Sequence, residues 1–118
     1  MLSELIGKLE LKYVVLSMVD RDDLLDGGAA WSAKPCVAAV LLELLVETWS
    51  ATSRTHDTAY LVESGPDAFA HNIEVSRRLT PRIRDARRSY DQSLEVLRHE
   101  GLRAQRMTKS SIMVGIGD

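Results

Sequence analysis

The chain has 118 residues, a formal net charge of −2 and 27% charged residues, the profile of one globular domain with no electrostatic case for nucleic acid or an acidic membrane surface. No apolar run approaches the roughly 18 residues of a membrane span, and Met1 to Glu10 lacks a signal- or transit-peptide pattern. The single cysteine, Cys36, excludes an internal disulfide and any multi-cysteine metal site within this chain.

Leu2, Leu5, Ile6 and Leu9 follow the i, i+3, i+4, i+7 spacing of a helix face, which predicts a short helix leading into a strand over Leu11–Leu16. Tyr13-Val14-Val15-Leu16 is apolar without alternation, so the strand is predicted to be buried on both faces, as in a parallel sheet. The chain then turns into Asp20-Arg21-Asp22-Asp23 and closes on Asp26-Gly27-Gly28. Charges crowded at the end of a buried strand are costly unless they are paired or bind something. That end is also where ligands sit in α/β barrels and open sheets. Ser17 to Asp23 is therefore predicted to form one wall of a site.

Trp31 to Tyr60 is the least readable part. Ala38 to Val46 is helical on propensity, with Pro35 near the first turn, and polar Thr48 to Thr58 predicts a loop. His56-Asp57 in that loop has no partner at a recognisable spacing and reads as an exposed histidine, not as half of a catalytic pair. Leu61 to Asp67 holds a helix end and a turn at Ser64-Gly65-Pro66. Ala68-Phe69-Ala70 then makes a small-residue strand ending in His71-Asn72-Ile73-Glu74, a second apolar run followed at once by polar groups.

Val75 to Arg88 is rich in arginine and broken by Pro81; it reads as a solvated face able to hold a phosphate or carboxylate. Ser89-Tyr90-Asp91-Gln92 fits a capping box opening a helix, and Gly101 is placed to end it in the left-handed conformation. Ser110 to Asp118 predicts another buried strand, finishing in Gly115 and Gly117. Strands alternating with helices imply an α/β fold with right-handed βαβ units and a parallel sheet. The polar groups at three strand ends fall on one edge, the predicted site.

Three segments, LKYVVLSMVDRDDLLDGG, GPDAFAHNIEVSRRLTPRIRDARRSYDQSLEVL and TKSSIMVGIGD, resemble segments of lipoyl synthase in the same order and span more than half of the chain. The resemblance implies a radical S-adenosylmethionine enzyme with two 4Fe–4S clusters, one of them sacrificed as the sulfur source. It implies sulfur insertion at the sixth and eighth carbons of an octanoyl chain. The carrier would be a lipoyl-domain protein, an acyltransferase subunit or the glycine cleavage H protein. Nucleic acid and membrane are not implied partners. The location implied is the mitochondrial matrix in a eukaryote and the cytoplasm in a prokaryote. The implied fold is a fragment of a partial (β/α) barrel, a single domain over residues 1–118, with 31–60 divergent from the family.

Carried over by position, Ser17, Asp20, Arg21 and Asp22 end the strand lining the S-adenosylmethionine pocket. Asn72 and Glu74 match an H-N-x-E element. Lys109, Ser110, Gly115 and Gly117 match the next strand and its glycine turn, and Asp118 stands where the family has Glu. The family's C-x3-C-x2-C motif and auxiliary-cluster cysteines have no counterpart here. A complete barrel of this type takes about 200 residues or more, so the chain is expected to be inactive alone. A cluster-less remnant binding S-adenosylmethionine or a lipoyl domain, or a gene fragment that does not fold, are the alternative readings.

Overall fold

The computed structural model describes residues 2–51, 55–104 and 106–117. In chain order the elements are α1 (Leu2–Lys8), β1 (Tyr13–Ser17), α2 (Ala29–Leu41), β2 (Leu45–Trp49), α3 (Thr55–Glu63), β3 (Ala68–Ala70), α4 (Thr80–Ile83), α5 (Tyr90–Ala104) and β4 (Met107–Lys109). The strands form one sheet in the order β1-β2-β3-β4, and every neighbouring pair is parallel. The register sets Ser17 beside Trp49, Trp49 beside Ala70 and Ala70 beside Lys109, so all four C-terminal ends share one edge. This α/β architecture is compatible with a fragment of a (β/α) barrel.

Alternation along each strand assigns the two faces of the sheet. Val46 packs with Ile6, Cys36 and Ala39, flanked by Val14 and Leu16, while Phe69 packs with Ala29, Leu61, Val62 and Val96. Burying an apolar side chain such as Phe69 contributes about 2–3 kcal/mol, as an upper bound. Tyr13, Val15, Leu45 and Met107 alternate onto the opposite face and remain 47%, 49%, 56% and 71% exposed. Burial of β1 on both faces is thus not realised: helices cover one face only, and β1 lies at an open edge of the sheet.

The Asp26-Gly27-Gly28 stretch turns out to start a helix. The Asp26 carboxylate accepts the N–H groups of Gly28 at 3.0 Å and Ala30 at 2.9 Å, while Gly27 and Gly28 take positive φ of 62° and 85°. Helix α2 therefore begins nine residues before Ala38, and Pro35 lies inside it and not in its first turn. It stops at a left-handed Glu43 (φ 58°), where the N–H groups of Glu43 and Leu44 close on the carbonyls of Val40 and Ala39.

Two expectations for this region are corrected together. Leu45 and Val46 belong to β2 and not to a helix, because Val46, Thr48 and Trp49 fit a pleated surface between two partner strands. Within the predicted loop over Thr48–Thr58, Thr48 and Trp49 instead end β2 and Thr55–Thr58 start α3, with Asp57 buried at the helix start, while residues 52–54 lie outside the described residues. The side chain of His56 lies outside the described residues.

The last segment also differs. Helix α5 runs through Gly101 to Ala104, so Gly101 does not terminate it. A Cβ at Gly101 would stand 3.2 Å from Thr108 Cγ2, so this glycine serves the close approach of α5 to β4. The final strand is Met107–Lys109, three exposed residues, in place of a buried strand from Ser110 onward. Beyond it Ile112 forms an isolated parallel bridge opposite Glu74. The capping box is present as expected: Gln92 N–H donates to Ser89 Oγ at 3.1 Å, and Ser89 N–H donates to Gln92 Oε1 at 2.8 Å.

Candidate functional site

The C-terminal ends of β1, β2 and β3 surround a cleft of about 320 Å3. Ser17, Met18 and Asp20 come from the β1 end, Trp49, Ser50 and Ala51 from the β2 end, and His71, Asn72 and Glu74 from the β3 end. Arg84 and Arg88 close the far side. Two of the three strand ends expected to share a site, those of β1 and β3, meet here with the β2 end between them, whereas the end of the last strand does not line the cleft.

The cleft holds both signs of charge. Arg88 pairs with Asp20 and reaches Asp22 at 3.3 Å, while Arg87 binds Asp22 at 2.5 Å and Asp85 at 2.8 Å. Arg87 beside it holds the Asp85 carboxyl well below the usual carboxylate range. Arg77 is occupied by Asp91 at 2.6 Å. Of the arginines in this segment, Arg77, Arg87 and Arg88 are thus paired with carboxylates within the molecule, and Arg78 donates to the Gly117 carbonyl.

Arg84 stands apart. Its Nη1 donates to Ser93 Oγ at 2.9 Å, to the Ile73 carbonyl at 3.3 Å and to the Ser89 carbonyl at 3.5 Å. Its Nε–H and Nη2 hydrogens have no partner among the described residues. Burial lowers its pKa from the ordinary arginine value, yet it stays charged because that value is so high.

Asn72 Oδ1 is buried and has no hydrogen-bond partner among the described residues. Such an acceptor costs about 1–3 kcal/mol unless something donates to it. Glu74, next but one, has a left-handed φ of 71°, rare for a residue with a side chain. Its backbone is pinned there, its N–H donating to Ser111 O at 3.2 Å and its carbonyl accepting from Met113 N–H at 2.7 Å.

Of the residues singled out from the sequence, Ser17, Asp20, Asn72 and Glu74 meet at this cleft. Arg21 turns away, bound to Asp23 at 2.6 Å, and lines a larger apolar groove of about 890 Å3 with Leu24, Trp31 and Pro35. Ser17 and Met18 border both cavities. Asp22 is engaged by Arg87 and Arg88. Ser110 Oγ accepts the Ile73 N–H at 3.2 Å, a structural contact that ties the chain after β4 to the β3 end. Gly115 and Gly117 take positive φ in open space, and the Gly117 carbonyl accepts from Arg78 at 2.7 Å; neither lines the cleft. Asp118 lies outside the described residues.

Lys109 is also placed elsewhere. Its Nζ sits 3.0 Å and 3.2 Å from the two oxygens of Glu47 and 5.6 Å from the centre of the Trp49 ring, on the face of the sheet that no helix covers. Tyr13 and Trp49 donate to the same carboxylate. Burial pushes the Glu47 carboxyl up, but the hydrogen bonds from Tyr13, Lys109 and Trp49 outweigh it and leave the pKa lowered. This network was not foreseen because propensity put Leu45 and Val46 in a helix and Thr48 onward in a loop. Alternation of Glu47 and Trp49 between Val46 and Thr48 was the available signal.

The donor set does not fit an iron–sulfur cluster. Cys36 is fully buried in α2, its thiol directed to the Ser64 carbonyl 3.9 Å away, and burial raises its pKa. Among the described residues no group of three His, Cys, Asp or Glu side chains could hold a metal ion. Among them, too, no helix is long and apolar enough to cross a membrane. What the cleft does offer is an orphaned acceptor on Asn72 beside the Arg84 guanidinium, groups suited to an ammonium and a carboxylate.

No protein-family model matches the chain. It is 48% identical to a lipoyl synthase of Sorangium cellulosum over 96% of its length, and 40% identical to one of Thermus thermophilus over 98%. A mitochondrial lipoyl synthase of Branchiostoma floridae is 43% identical over 98% of the chain. The chain spans 36%, 38% and 32% of these relatives. The aligned share of the chain includes the 31–60 stretch that the sequence reading set apart.

Proposed function

We propose that this chain, a lipoyl synthase segment, forms the S-adenosylmethionine-binding wall of an enzyme that inserts sulfur into a protein-bound octanoyl chain. The observation that carries the reading is the orphaned Asn72 Oδ1, in the same cleft as the unspent N–H groups of Arg84. The Arg84 guanidinium would take the ligand's carboxylate, and Asn72 Oδ1 with the Glu74 carboxylate would take its ammonium. Ser17, at the junction of cleft and groove, would meet the nucleoside side. When bound, S-adenosylmethionine supplies the adenosyl group with which radical enzymes abstract hydrogen.

The chain's own residues bind and orient; its single buried cysteine does not provide cluster ligands, so no redox step is assigned to it. The octanoylated lipoyl-domain protein is the macromolecular substrate we infer, in the mitochondrial matrix of a eukaryote or the cytoplasm of a prokaryote. Isothermal titration with S-adenosylmethionine tests the binding role. Saturable one-to-one binding is expected, weakened about tenfold by Asn72→Leu, which deletes the acceptor. Absence of binding, or equal affinity in the variant, would contradict it.

A further inference from the structure

His71 lies at the end of β3 and is 3% exposed. Its Nδ1 is 3.0 Å from the Ser50 carbonyl and its Nε2 is 3.1 Å from Ser93 Oγ. A carbonyl oxygen only accepts, so Nδ1 carries the proton and Nε2 is left as an acceptor. Nε2 therefore accepts the Ser93 hydroxyl, whose oxygen in turn accepts Arg84 Nη1 at 2.9 Å. Burial holds the imidazole pKa down, and the nearby charges of Arg84 and Arg88 act the same way. With both nitrogens spent inside the protein, His71 has no free position for acid–base chemistry.

We propose that His71 and Ser93 are positioning residues: they form a strut from the β2 end to Arg84 and fix its guanidinium so that Nε–H and Nη2 face an incoming carboxylate. The inference rests on reading the cleft as a site for the methionyl group. An arginine side chain loses rotamer entropy when it is immobilised. The Ser93 contact is the shortest of the three that Nη1 makes, the others being 3.3 Å and 3.5 Å. Spending that entropy before the ligand arrives improves affinity for the group Arg84 meets and for no other part of the ligand.

The test compares wild type with Ser93→Ala, folding verified by circular dichroism, using two nucleosides. S-adenosylhomocysteine carries the ammonium and carboxylate; 5′-methylthioadenosine carries neither. Ser93→Ala is expected to weaken S-adenosylhomocysteine about tenfold and to leave 5′-methylthioadenosine within about twofold, while Ser93→Thr, which keeps the hydroxyl, restores the ratio. Equal loss for both nucleosides, or no loss for either, would overturn the proposal.

If wild type binds neither nucleoside, the functional reading fails and nitrogen-15 NMR decides the strut on its own. His71 protonated at Nδ1 with a bare Nε2, and an Arg84 Nε–H that is ordered in wild type and mobile in Ser93→Ala, would support it. The opposite tautomer, or an Arg84 unaffected by Ser93→Ala, would refute it.

Discussion

Replacing Lys109 with methionine separates a binding lysine from a structural one. Lys109 Nζ lies 3.0 Å from Glu47 Oε1, and the Glu47 side chain is only 4% exposed while that of Lys109 is 52% exposed. Breaking a fully buried pair costs about 3–5 kcal/mol; with the ammonium half in water, the expected loss is about 1–2 kcal/mol at pH 7. Glu47 has a folded pKa below its ordinary value. Its contribution is therefore present above the unfolded carboxylate pKa of about 4.3 and is lost as pH falls through the folded value. Without the ammonium, burial is less opposed and the Glu47 pKa moves up. The deficit of Lys109→Met should accordingly be largest near neutrality and shrink as the carboxylate is protonated. Urea denaturation at pH 7 and again near pH 3.5 measures it. A variant as stable as wild type at pH 7, or a deficit that does not change with pH, would refute the assignment of Lys109 to this network.

Three further outcomes are expected. Gly101→Ala gains about 1 kcal/mol of helix propensity and loses part of it to the 3.2 Å contact with the exposed Thr108. A net gain of about 0.5 kcal/mol, or 2–4 °C in Tm, should appear in thermal melts; a left-handed helix end would instead show a loss. Ser89→Ala removes the reciprocal cap of α5 and should cost about 1 kcal/mol by urea denaturation, with no cost if the box contributes nothing. Val15→Lys places a charge on the open β1 edge and should reduce concentration-dependent association in light scattering; unchanged association would show that this edge is not its origin.

Much of the architecture was legible because local chemistry and tertiary packing agree. The capping box at Ser89 and Gln92 needs only four residues, and it forms as the pattern requires. The apolar runs at Tyr13 and Ala68 form strands, and their polar ends meet at the cleft. Strand β2 was masked on propensity because Ala38 to Val46 is apolar apart from Glu43, and the break falls at that left-handed glutamate where a glycine would have marked it. Gly101 misled for the converse reason. A glycine near a helix end serves equally for a left-handed turn or a close approach, and only the position of Thr108 separates the two. The acidic run after β1 divides between the cleft and internal ion pairs: Asp20 faces the site while Arg21 pairs with Asp23. Arg84 could not be distinguished from its arginine neighbours by sequence. What sets it apart is its place in the cleft, where Nη1 is held by Ser93 Oγ at 2.9 Å.

Backbone amide shifts of the nitrogen-15-labelled chain titrated with S-adenosylhomocysteine test the central claim most directly. The proposed site requires saturable shifts concentrated at Ser50, Asn72, Glu74 and Arg84, around the three strand ends. Shifts confined to the apolar groove around Leu24 and Trp31, or no saturable shifts at all, would contradict a methionyl-binding cleft at this edge of the sheet.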